Sequence, residues 1–333
     1  MINACPVCSA ASFELVADNE RLQEECRIRE QFVQDRLTRK IHPEELKDLT
    51  DFFHGEQAHL VACSGCGLLI RDEHERPAVQ EYSEDEYAPS VMEHQYPCYV
   101  EAFRAKADPY RPLLPASARV LEIGSHYGAF LKVAQEWGWR AEGVDPGKDT
   151  SRFAASKGFH VHAGTIEDGP FAAEQFDAIF NWNCFDQIDD PRPTLARCRV
   201  LLKRGGLLTV RTPDGEFYRI CERLLQNEHV SGRTKDFVLR ALGYNNLLGF
   251  PYRYGYSRDV LKRLIEPFGF TMEGALSSEL LTFPLPENPR WVLKEEEKIS
   301  AELELLDHGP WLETWFRKTE QADSADDRAE ILI

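Results

Sequence analysis

The sequence contains no apolar stretch approaching the ~20 residues that a membrane-spanning helix requires. Its first residues, MINACPVCSA, lack the basic region and apolar core of an export signal, so we expect a cytoplasmic protein without membrane contact. Basic side chains are scarce, since 39 Lys and Arg stand against 56 Asp and Glu and give a formal net charge of −17. Because docking on nucleic acid requires a basic patch, the composition disfavours a nucleic-acid partner.

Cysteine, by contrast, is abundant for a cytoplasmic chain, with nine residues. Four of them form two C-x-x-C pairs, and in a reducing compartment such pairs favour metal binding over disulfides. Four thiolates suit tetrahedral zinc, and a site closed by four cysteines is structural because no position is left for water. The predicted ligands are Cys5, Cys8, Cys63 and Cys66, with free thiols as the alternative.

A charged segment, residues 18–55, separates the two cysteine pairs. Its apolar residues, from Leu22 to Leu37, recur at roughly helical spacing, and Pro43 can begin a second helix. We interpret the segment as a helical hairpin inserted into the metal-binding module; a solvated charged arm is the alternative. Two roles stay open for it, a homodimer contact and a cover over a substrate pocket.

Strands and helices alternate from residue 119 onward. Predicted strands cover 119–124, 141–146, 160–165, 176–183, 207–214, 270–277 and a last stretch near 280–285. Predicted helices cover 129–137, 150–157, 193–202 and 258–266. This alternation predicts an α/β fold, a Rossmann-like doubly wound and mostly parallel sheet of seven strands with helices on both faces. A small N-terminal zinc ribbon with its helical insertion completes the predicted fold.

The chain therefore divides into four predicted parts. Residues 1–75 form the zinc-binding module, and residues 76–117 form a connector that ends in a helix around 95–111. Residues 118–288 form the α/β domain, in which the aromatic, mainly helical insertion 215–256 would be a lid over the substrate. Residues 289–333, which hold Trp291, Trp311 and Trp315, are predicted to be a helical extension.

A nucleoside site is indicated where the first predicted strand runs into a glycine-containing turn and a helix. Gly124 and Gly128 allow a sharp turn and a close approach of the backbone to a ligand. Glu122 precedes that turn, and about twenty residues later Asp145 ends the second strand, where an acid can accept ribose hydroxyls. A dinucleotide-dependent oxidoreductase shares this arrangement, but the turn lacks the G-x-G-x-x-G spacing.

These residues resemble motifs of class I S-adenosylmethionine-dependent methyltransferases. LEIGSHYGAFL resembles the cofactor loop, GVDP the ribose-binding acid, and FDAIFNWNCFDQIDDP with LLKRGGLLTVRTPD the fourth and fifth strands, together covering residues 118–215. The resemblance implies S-adenosylmethionine as cofactor, with Asp145 at its ribose. It also places Glu122, Gly124 and Gly128 at the methionine end, Ile166 and Glu167 beside the adenine, and Asn181 near the sulfonium.

The cysteine motifs CPVCSA and HLVACSGCGLLI are similar to the N-terminal ribbon of bacterial methyltransferases of sugar and natural-product pathways. Sugar C-methyltransferases in that group carry a Glu-His pair after the fifth strand, with the His as base. The resemblance implies Glu228 and His229 for this role, although Tyr252 occupies the position closest to the family's pattern. A surface or structural histidine is the alternative for His229.

Together these features predict a methyltransferase that acts on an oxygen or carbon of a small molecule such as a sugar nucleotide or natural-product intermediate. Histidine suits a base for such chemistry near neutral pH. Three alternatives remain: a nucleotide-dependent oxidoreductase or epimerase, a non-catalytic zinc-containing binding protein with a methyltransferase fold, and an RNA methyltransferase. The acidic charge disfavours the last.

Overall fold

The computed structural model describes residues 3–35, 58–73, 89–245, 247–250, 253–278, 294–295, 297–299, 301 and 309–319. Several predictions lie outside the described residues: the second helix from Pro43, the strand near 280–285, and the positions of Tyr252 and Trp291. Within the described part of the chain, no helix is both long and apolar enough to cross a membrane.

The N-terminal region forms a small antiparallel sheet. Strands β1 (Phe13–Ala17), β2 (Ala58–Cys63) and β3 (Leu69–Glu73) pair in sequence order, and helix α1 (Asn19–Asp35) follows β1. This helix lies in the segment predicted to be a helical insertion. The fourth strand of this sheet is a short one, β9 (Tyr254–Gly255), contributed by a distant part of the chain.

The second sheet contains seven strands and confirms the predicted fold class. In chain order they are β4 (Arg119–Ile123), β5 (Arg140–Asp145), β6 (His160–Ala163), β7 (Phe176–Trp182), β8 (Leu202–Pro213), β10 (Phe270–Ser278) and β11 (Trp311–Lys318). Their spatial order is β10-β11-β8-β7-β4-β5-β6, and the pairs among β4 to β8 are parallel. The order reverses between β4 and β7, so a crevice is expected at their carboxyl ends.

In the described part of the chain, seven further helices lie between or beside these strands. They are α2 (Pro89–Ala107), α3 (Ala129–Glu136), α4 (Lys148–Ser156), α5 (Pro191–Leu201), α6 (Gly215–Gln226), α7 (Gly232–Tyr244) and α8 (Arg258–Ile265). Several begin at side chains that accept hydrogen bonds from first-turn amides: Asp190 for α5, Asp214 for α6, Ser231 for α7 and Ser257 for α8. Such caps satisfy amides that have no partner within the helix.

Apolar side chains cover both faces of the large sheet. On one face, strand residues such as Ile179 and Val210 join Leu195 of α5 and Leu264 of α8 in one buried cluster. On the other face, Phe130 of α3 joins a second cluster with residues of β4, β7 and the region that follows α2. Burial on both faces explains the nearly continuous apolar runs of these parallel strands.

The prediction of a helical C-terminal extension is wrong for residues 311–318. They form β11, which lies antiparallel between β8 and β10 and supplies the seventh strand. Trp311, Thr314, Trp315 and Phe316 belong to the residue types that favour strands. Between β8 and β10, Trp315 is half-buried and the other three are buried. The α/β fold thus draws on residues beyond the predicted limit at 288.

The small sheet and the insertion 215–256 share a hydrophobic core. Leu22 of α1, Leu60 of β2, Phe217 of α6 and Leu242 of α7 are members of one buried cluster. The insertion is mainly helical, as predicted, and it also provides β9 to the small sheet. Its packing joins the N-terminal module to the α/β domain; its function as a lid stays a prediction.

Candidate cofactor, acceptor and metal sites

The turn after β4 is held in a conformation that requires glycine. Gly124 and Gly128 have φ values of +72° and +75°, a region that L side chains rarely adopt. A Cβ on Gly124 would lie 2.6 Å from Cys184 Sγ, and one on Gly128 would lie 2.7 Å from the ring of Phe159. Both glycines therefore let the turn lie closer to its neighbours than any side chain would permit.

Asp145 ends β5 and is bound to this turn. Its carboxylate accepts hydrogen bonds from the backbone amide of His126 at 2.8 Å, the amide of Gly147 at 2.9 Å and Thr150 Oγ1 at 2.8 Å. A carboxylate offers about four acceptor positions, so about one remains for a ligand. Asp145 thus braces the turn, and it can accept one further hydroxyl without losing a present bond.

Buried polar atoms without partners surround this turn. Among the described residues, Glu122 Oε2, Ser125 Oγ and both amide atoms of Asn181 have no hydrogen-bond partner. Glu122 and Asn181 are each 1% exposed. Burial, followed by the charge of Asp145, raises the pKa of Glu122 well above its usual range, while Lys106 opposes the rise. Because native proteins rarely leave buried polar atoms unsatisfied, these atoms indicate a polar ligand.

Ile166 and Glu167 follow β6 at the side of β5. The backbone amide of Gly164 donates to the carbonyl of Asp145 at 2.9 Å, which places this turn beside the end of β5. Ile166 is buried, whereas Glu167 is exposed and accepts a hydrogen bond from Thr194 Oγ1 at 2.6 Å. The apolar surface at Ile166 suits a flat ring, and Glu167 already has a structural partner.

The turn after β7 contains an acid that the sequence analysis did not select as a site residue. Asp186 is 0% exposed, and neither carboxylate oxygen has a partner among the described residues. Burial raises its pKa to about 8. The sequence signal was weak, because an acid a few residues after a strand is also common in turns.

A second buried set lies beside the ends of β7, β8 and β11. Arg211 Nε donates to Glu313 Oε1 at 3.1 Å, and Glu313 Oε2 accepts from Tyr110 Oη at 2.9 Å. Arg211 Nη1 also donates to Asn183 Oδ1 at 2.5 Å. A charged residue within the otherwise apolar strand LLTVRTPD was the signal in the sequence for this set.

Lys106 on α2 is a buried cation near these residues. Its Nζ lies 4.5 Å from the ring centroid of Phe103 and 6.0 Å from that of Trp182. Burial lowers the pKa of Lys106 to about 7; Arg211 lowers it further, while Glu313 and Glu122 oppose the effect. This lysine lay in the predicted connector, where no motif distinguished it.

The predicted catalytic pair is not brought to the glycine turn. Glu228 and His229 are exposed in the turn between α6 and α7, where the His229 amide donates to Asn227 Oδ1 at 2.8 Å. Nearby, Gln226 Nε2 donates to the carbonyl of Val16 at 2.9 Å, which places this turn beside β1. The exposed position beside the small sheet gives no geometric support for His229 as a base at the carboxyl ends of β4 and β7.

The four predicted metal ligands lie together. The sulfur atoms of Cys5, Cys8, Cys63 and Cys66 are all within 4.8 Å of one another. The Cys5 and Cys66 sulfurs are 3.6 Å apart and those of Cys8 and Cys63 are 3.5 Å apart. Four sulfurs at ~2.3 Å from a tetrahedral zinc would be separated by ~3.8 Å. The cluster is therefore compatible with a zinc site.

Backbone amides further adapt this cluster to a metal cation. Burial opposes ionisation of Cys63, but amides of Gly65 and Cys66 donate to its sulfur and bring its pKa down to about 7. A thiolate is the form that binds a metal. The segment that holds Cys5 and Cys8 forms a similar turn, since the amide of Ser9 donates to the carbonyl of Cys5 at 2.9 Å.

The family described as "Methyltransferase domain" matches residues 92–274. An uncharacterized protein of Methanocaldococcus jannaschii is 26% identical over 138 residues, which cover 39% of this chain and 65% of that protein. Among solved structures, a complex of the Haloferax volcanii Trm112 methyltransferase activator with a methyltransferase has a TM-score of 0.44 and 17% identity, and covers 69% of this chain and 93% of that chain. An S-adenosylmethionine-dependent methyltransferase from Mesorhizobium loti also has a TM-score of 0.44, with 14% identity, and covers 64% of this chain and 97% of that chain.

Proposed function

The chain belongs to the methyltransferase domain family, as a class I S-adenosylmethionine-dependent methyltransferase, and from this premise we propose that it methylates an oxygen or carbon of a small-molecule acceptor. The observation that carries the proposal is the glycine turn after β4, closed by Asp145 and surrounded by buried polar atoms that have no partner. These features lie where the strand order reverses, which is the ligand-binding position of doubly wound sheets.

The residues around the turn fit the cofactor. Gly124 and Gly128 would let the backbone approach its methionine part, with Glu122 toward the ammonium group. Asp145 would accept a ribose hydroxyl at its remaining position, and Asn181 would lie near the sulfur. Ile166 and Glu167 would flank the adenine. When bound, the cofactor supplies a methyl carbon attached to a positively charged sulfur.

The acceptor side is bordered by the turn after β7 and by the segment around β9. Tyr254 Oη donates to the carbonyl of Asp189 at 2.9 Å. The backbone of Tyr256 forms an isolated parallel β-bridge with Asp214, directly after β8. These contacts support the insertion 215–256 as one wall of an acceptor pocket. The chain's task there is to hold the nucleophile on the line of the carbon–sulfur bond and to exclude water.

The class of acceptor rests on charge and on the resemblance of the N-terminal motifs. A net charge of −17 disfavours a polyanionic acceptor, and similar ribbons occur in enzymes of sugar and natural-product pathways. A sugar nucleotide or a natural-product intermediate therefore remains our proposal, as do a cytoplasmic location and a homodimer. Glu228, His229 and Tyr252 stay predicted catalytic residues, although the exposed turn of Glu228 and His229 gives no geometric support for a base at the glycine turn.

The cysteine cluster is proposed to hold a structural zinc ion. Four thiolates complete a tetrahedron and leave no position for a catalytic water. Cys5 and Cys63 belong to the same buried cluster as Leu261 and Leu264 of α8. The metal would thus stabilise the contact between the N-terminal module and the α/β domain, with no part in the chemistry.

Calorimetric titration with S-adenosylhomocysteine and with NAD tests the proposed cofactor. We expect saturable binding of S-adenosylhomocysteine with one molecule per chain and no binding of NAD. The reverse result would support a nucleotide-dependent oxidoreductase or epimerase. A non-catalytic binding protein with this fold would instead show partner capture independent of the cofactor and no methyl transfer to any extract fraction. Transfer to RNA would support the remaining alternative.

A further inference from the structure

Asp186 lies one turn beyond β7, in the short 3₁₀ helix Phe185–Gln187. Its side chain is fully buried and both of its oxygens lack a partner among the described residues. A buried carboxyl that receives no hydrogen bond from any other residue costs free energy, so its presence at this position calls for an explanation. In the described part of the chain, no hydrogen bond from another residue to the Asp186 carboxyl provides that explanation.

The position of Asp186 relative to the glycine turn is fixed by Cys184. Cys184 Sγ donates to the carbonyl of Ile123 at 3.3 Å and contacts the site where Gly124 has no side chain. Burial, followed by the charges of Asp186, Asp145 and Glu122, raises the pKa of the Cys184 thiol. Because Cys184 precedes Asp186 by two residues, the short helix that contains Asp186 lies next to the glycine turn.

Among the described residues, no cation beside Asp186 stabilises its charge. The pKa of Asp186 is raised by burial and lowered only by its own backbone amide, with no Lys, Arg or His of the described residues contributing. The titratable neighbours that face it are Cys184 and Tyr256, and both are neutral near pH 7 because burial raises their pKa values. The ring of Tyr256 lies 5.4 Å from that of Phe185, so this tyrosine closes the turn from the β9 side.

We propose that Asp186 is the proton acceptor of the methyl transfer, and that the positive charge of the bound sulfonium is what makes it available as a carboxylate. This inference rests on the proposed function. A positive charge entering a buried site favours the ionised form of a nearby carboxyl. Asp186 therefore loses its proton when S-adenosylmethionine binds.

The step balances in atoms and charge. The acceptor X–H, where X is oxygen or an enolisable carbon, loses its proton to the Asp186 carboxylate as its electron pair forms the X–CH₃ bond. The sulfur–methyl bond breaks and its electron pair returns to sulfur, which becomes a neutral thioether. The sulfonium and carboxylate before transfer thus become a thioether and a protonated Asp186 afterwards. Since the charge that favoured the carboxylate has gone, Asp186 keeps the proton until product leaves.

The test is the number of protons released on binding of the cofactor and of its demethylated product. Each ligand is titrated calorimetrically at pH 7 in two buffers of different ionisation enthalpy. S-adenosylmethionine should release more protons than S-adenosylhomocysteine, by an amount approaching about one per site. Both ligands carry the same ammonium and carboxylate groups, so any proton exchanged by Glu122 cancels in this difference.

The variant Asp186→Asn should abolish the difference while binding S-adenosylhomocysteine within a few-fold of the unaltered protein. Glu136→Gln is the matched control, because Glu136 is paired with Arg104 on the surface of α3 and should leave the difference unchanged. Persistence of the difference in Asp186→Asn would overturn the assignment, and so would equal proton release by the two ligands in the unaltered protein. Failure of both ligands to bind would instead overturn the proposed function.

If Asp186→Asn does not fold, measuring the affinities of both ligands over a range of pH in the unaltered protein tests the same proposal. With a pKa of about 8, Asp186 is mostly protonated at pH 7 in the free protein. Binding of the sulfonium releases that proton, so the affinity for S-adenosylmethionine rises as the pH approaches 8. The ratio of S-adenosylmethionine to S-adenosylhomocysteine affinity should increase by up to about tenfold per pH unit and level off above pH 8. A ratio independent of pH would overturn the proposal.

Discussion

At the scale of single residues, the cofactor site depends on positions where an added carbon has no room. Gly124 has a positive φ, and its missing Cβ leaves space for Cys184 Sγ. Asp145 holds the residues after Gly124 in place, because its carboxylate accepts a hydrogen bond from the backbone amide of His126. The shape of the turn therefore comes from backbone geometry more than from any individual side chain.

Gly124→Ala should lower the affinity for S-adenosylhomocysteine by at least about tenfold, because the methyl group would push Cys184 and the turn apart. Gly205→Ala is the matched control: Gly205 has a φ of +66°, but a Cβ there would meet nothing within 4 Å. The control should cost only about 1 kcal/mol of stability for the positive φ and retain full binding. Calorimetric titration and thermal unfolding measure both effects, and equal binding losses would contradict this account.

A second prediction about single residues concerns the buried pair Arg211–Glu313. Glu313→Gln should lower the free energy of unfolding by about 3 kcal/mol or more, because Arg211 would be left buried without a counter-charge. On the same strand, Arg317 pairs with Glu273 at 2.8 Å, but both side chains are about one-third exposed. Glu273→Gln should therefore cost less than about 1 kcal/mol. Chemical denaturation compares the two, and similar losses would contradict the difference in burial as the cause.

At the scale of elements, the parallel part of the sheet was predictable from the sequence. The apolar segments that end at Ile123 and Asp145 each form a buried strand, and each adjoins a residue that shapes the turn after β4. The strand β11 was not predictable in the same way, because its aromatic and charged residues fit either a helix or a strand when considered alone. Its pairing with β8, a hundred residues earlier in the chain, decides its conformation. Lys106 was not predicted for the same reason, because its surroundings include Trp182 and the charge of Arg211, which lie far from it in the sequence.

Removal of β11 tests its place between β8 and β10. A chain that ends after residue 309 should lose cooperative unfolding, because two strands would be left with unpaired edges and an exposed apolar face. A chain that ends after Thr319 keeps every described residue and should unfold at nearly the temperature of the full chain. Circular dichroism with heating distinguishes the two, and a cooperative, equally stable short chain would show that β11 is dispensable.

At the scale of the whole molecule, the cysteine cluster and the methyltransferase fold share packing. The small sheet takes β9 from the insertion, and Arg263 of α8 donates to the carbonyl of Gly65 at 3.2 Å. The sequence indicated both parts of the molecule, but it could not show that they share a core. That union depends on contacts of α1 with the region of α6 and α7, which lies far from α1 in the chain.

Loss of the metal should therefore affect the whole protein. Cys8→Ser should remove bound zinc, from about one ion per chain to none, and lower the unfolding temperature, because the cluster holds β1 and β2 against α8. Cys98→Ser, which lies on α2 outside the cluster, should keep the metal. Metal content by mass spectrometry and thermal unfolding measure these effects. Unchanged stability after complete metal loss would contradict a structural role.

The central claim is that the carboxyl ends of β4, β5 and β7 bind the adenosyl cofactor. A crystal structure with S-adenosylhomocysteine bound tests it most directly. We predict a ribose hydroxyl within hydrogen-bond distance of Asp145, the amino acid part against the turn from Gly124 to Gly128, and the sulfur facing the space near Asn181 and Asp186. Ligand density elsewhere on the molecule, with this turn unoccupied, would contradict it.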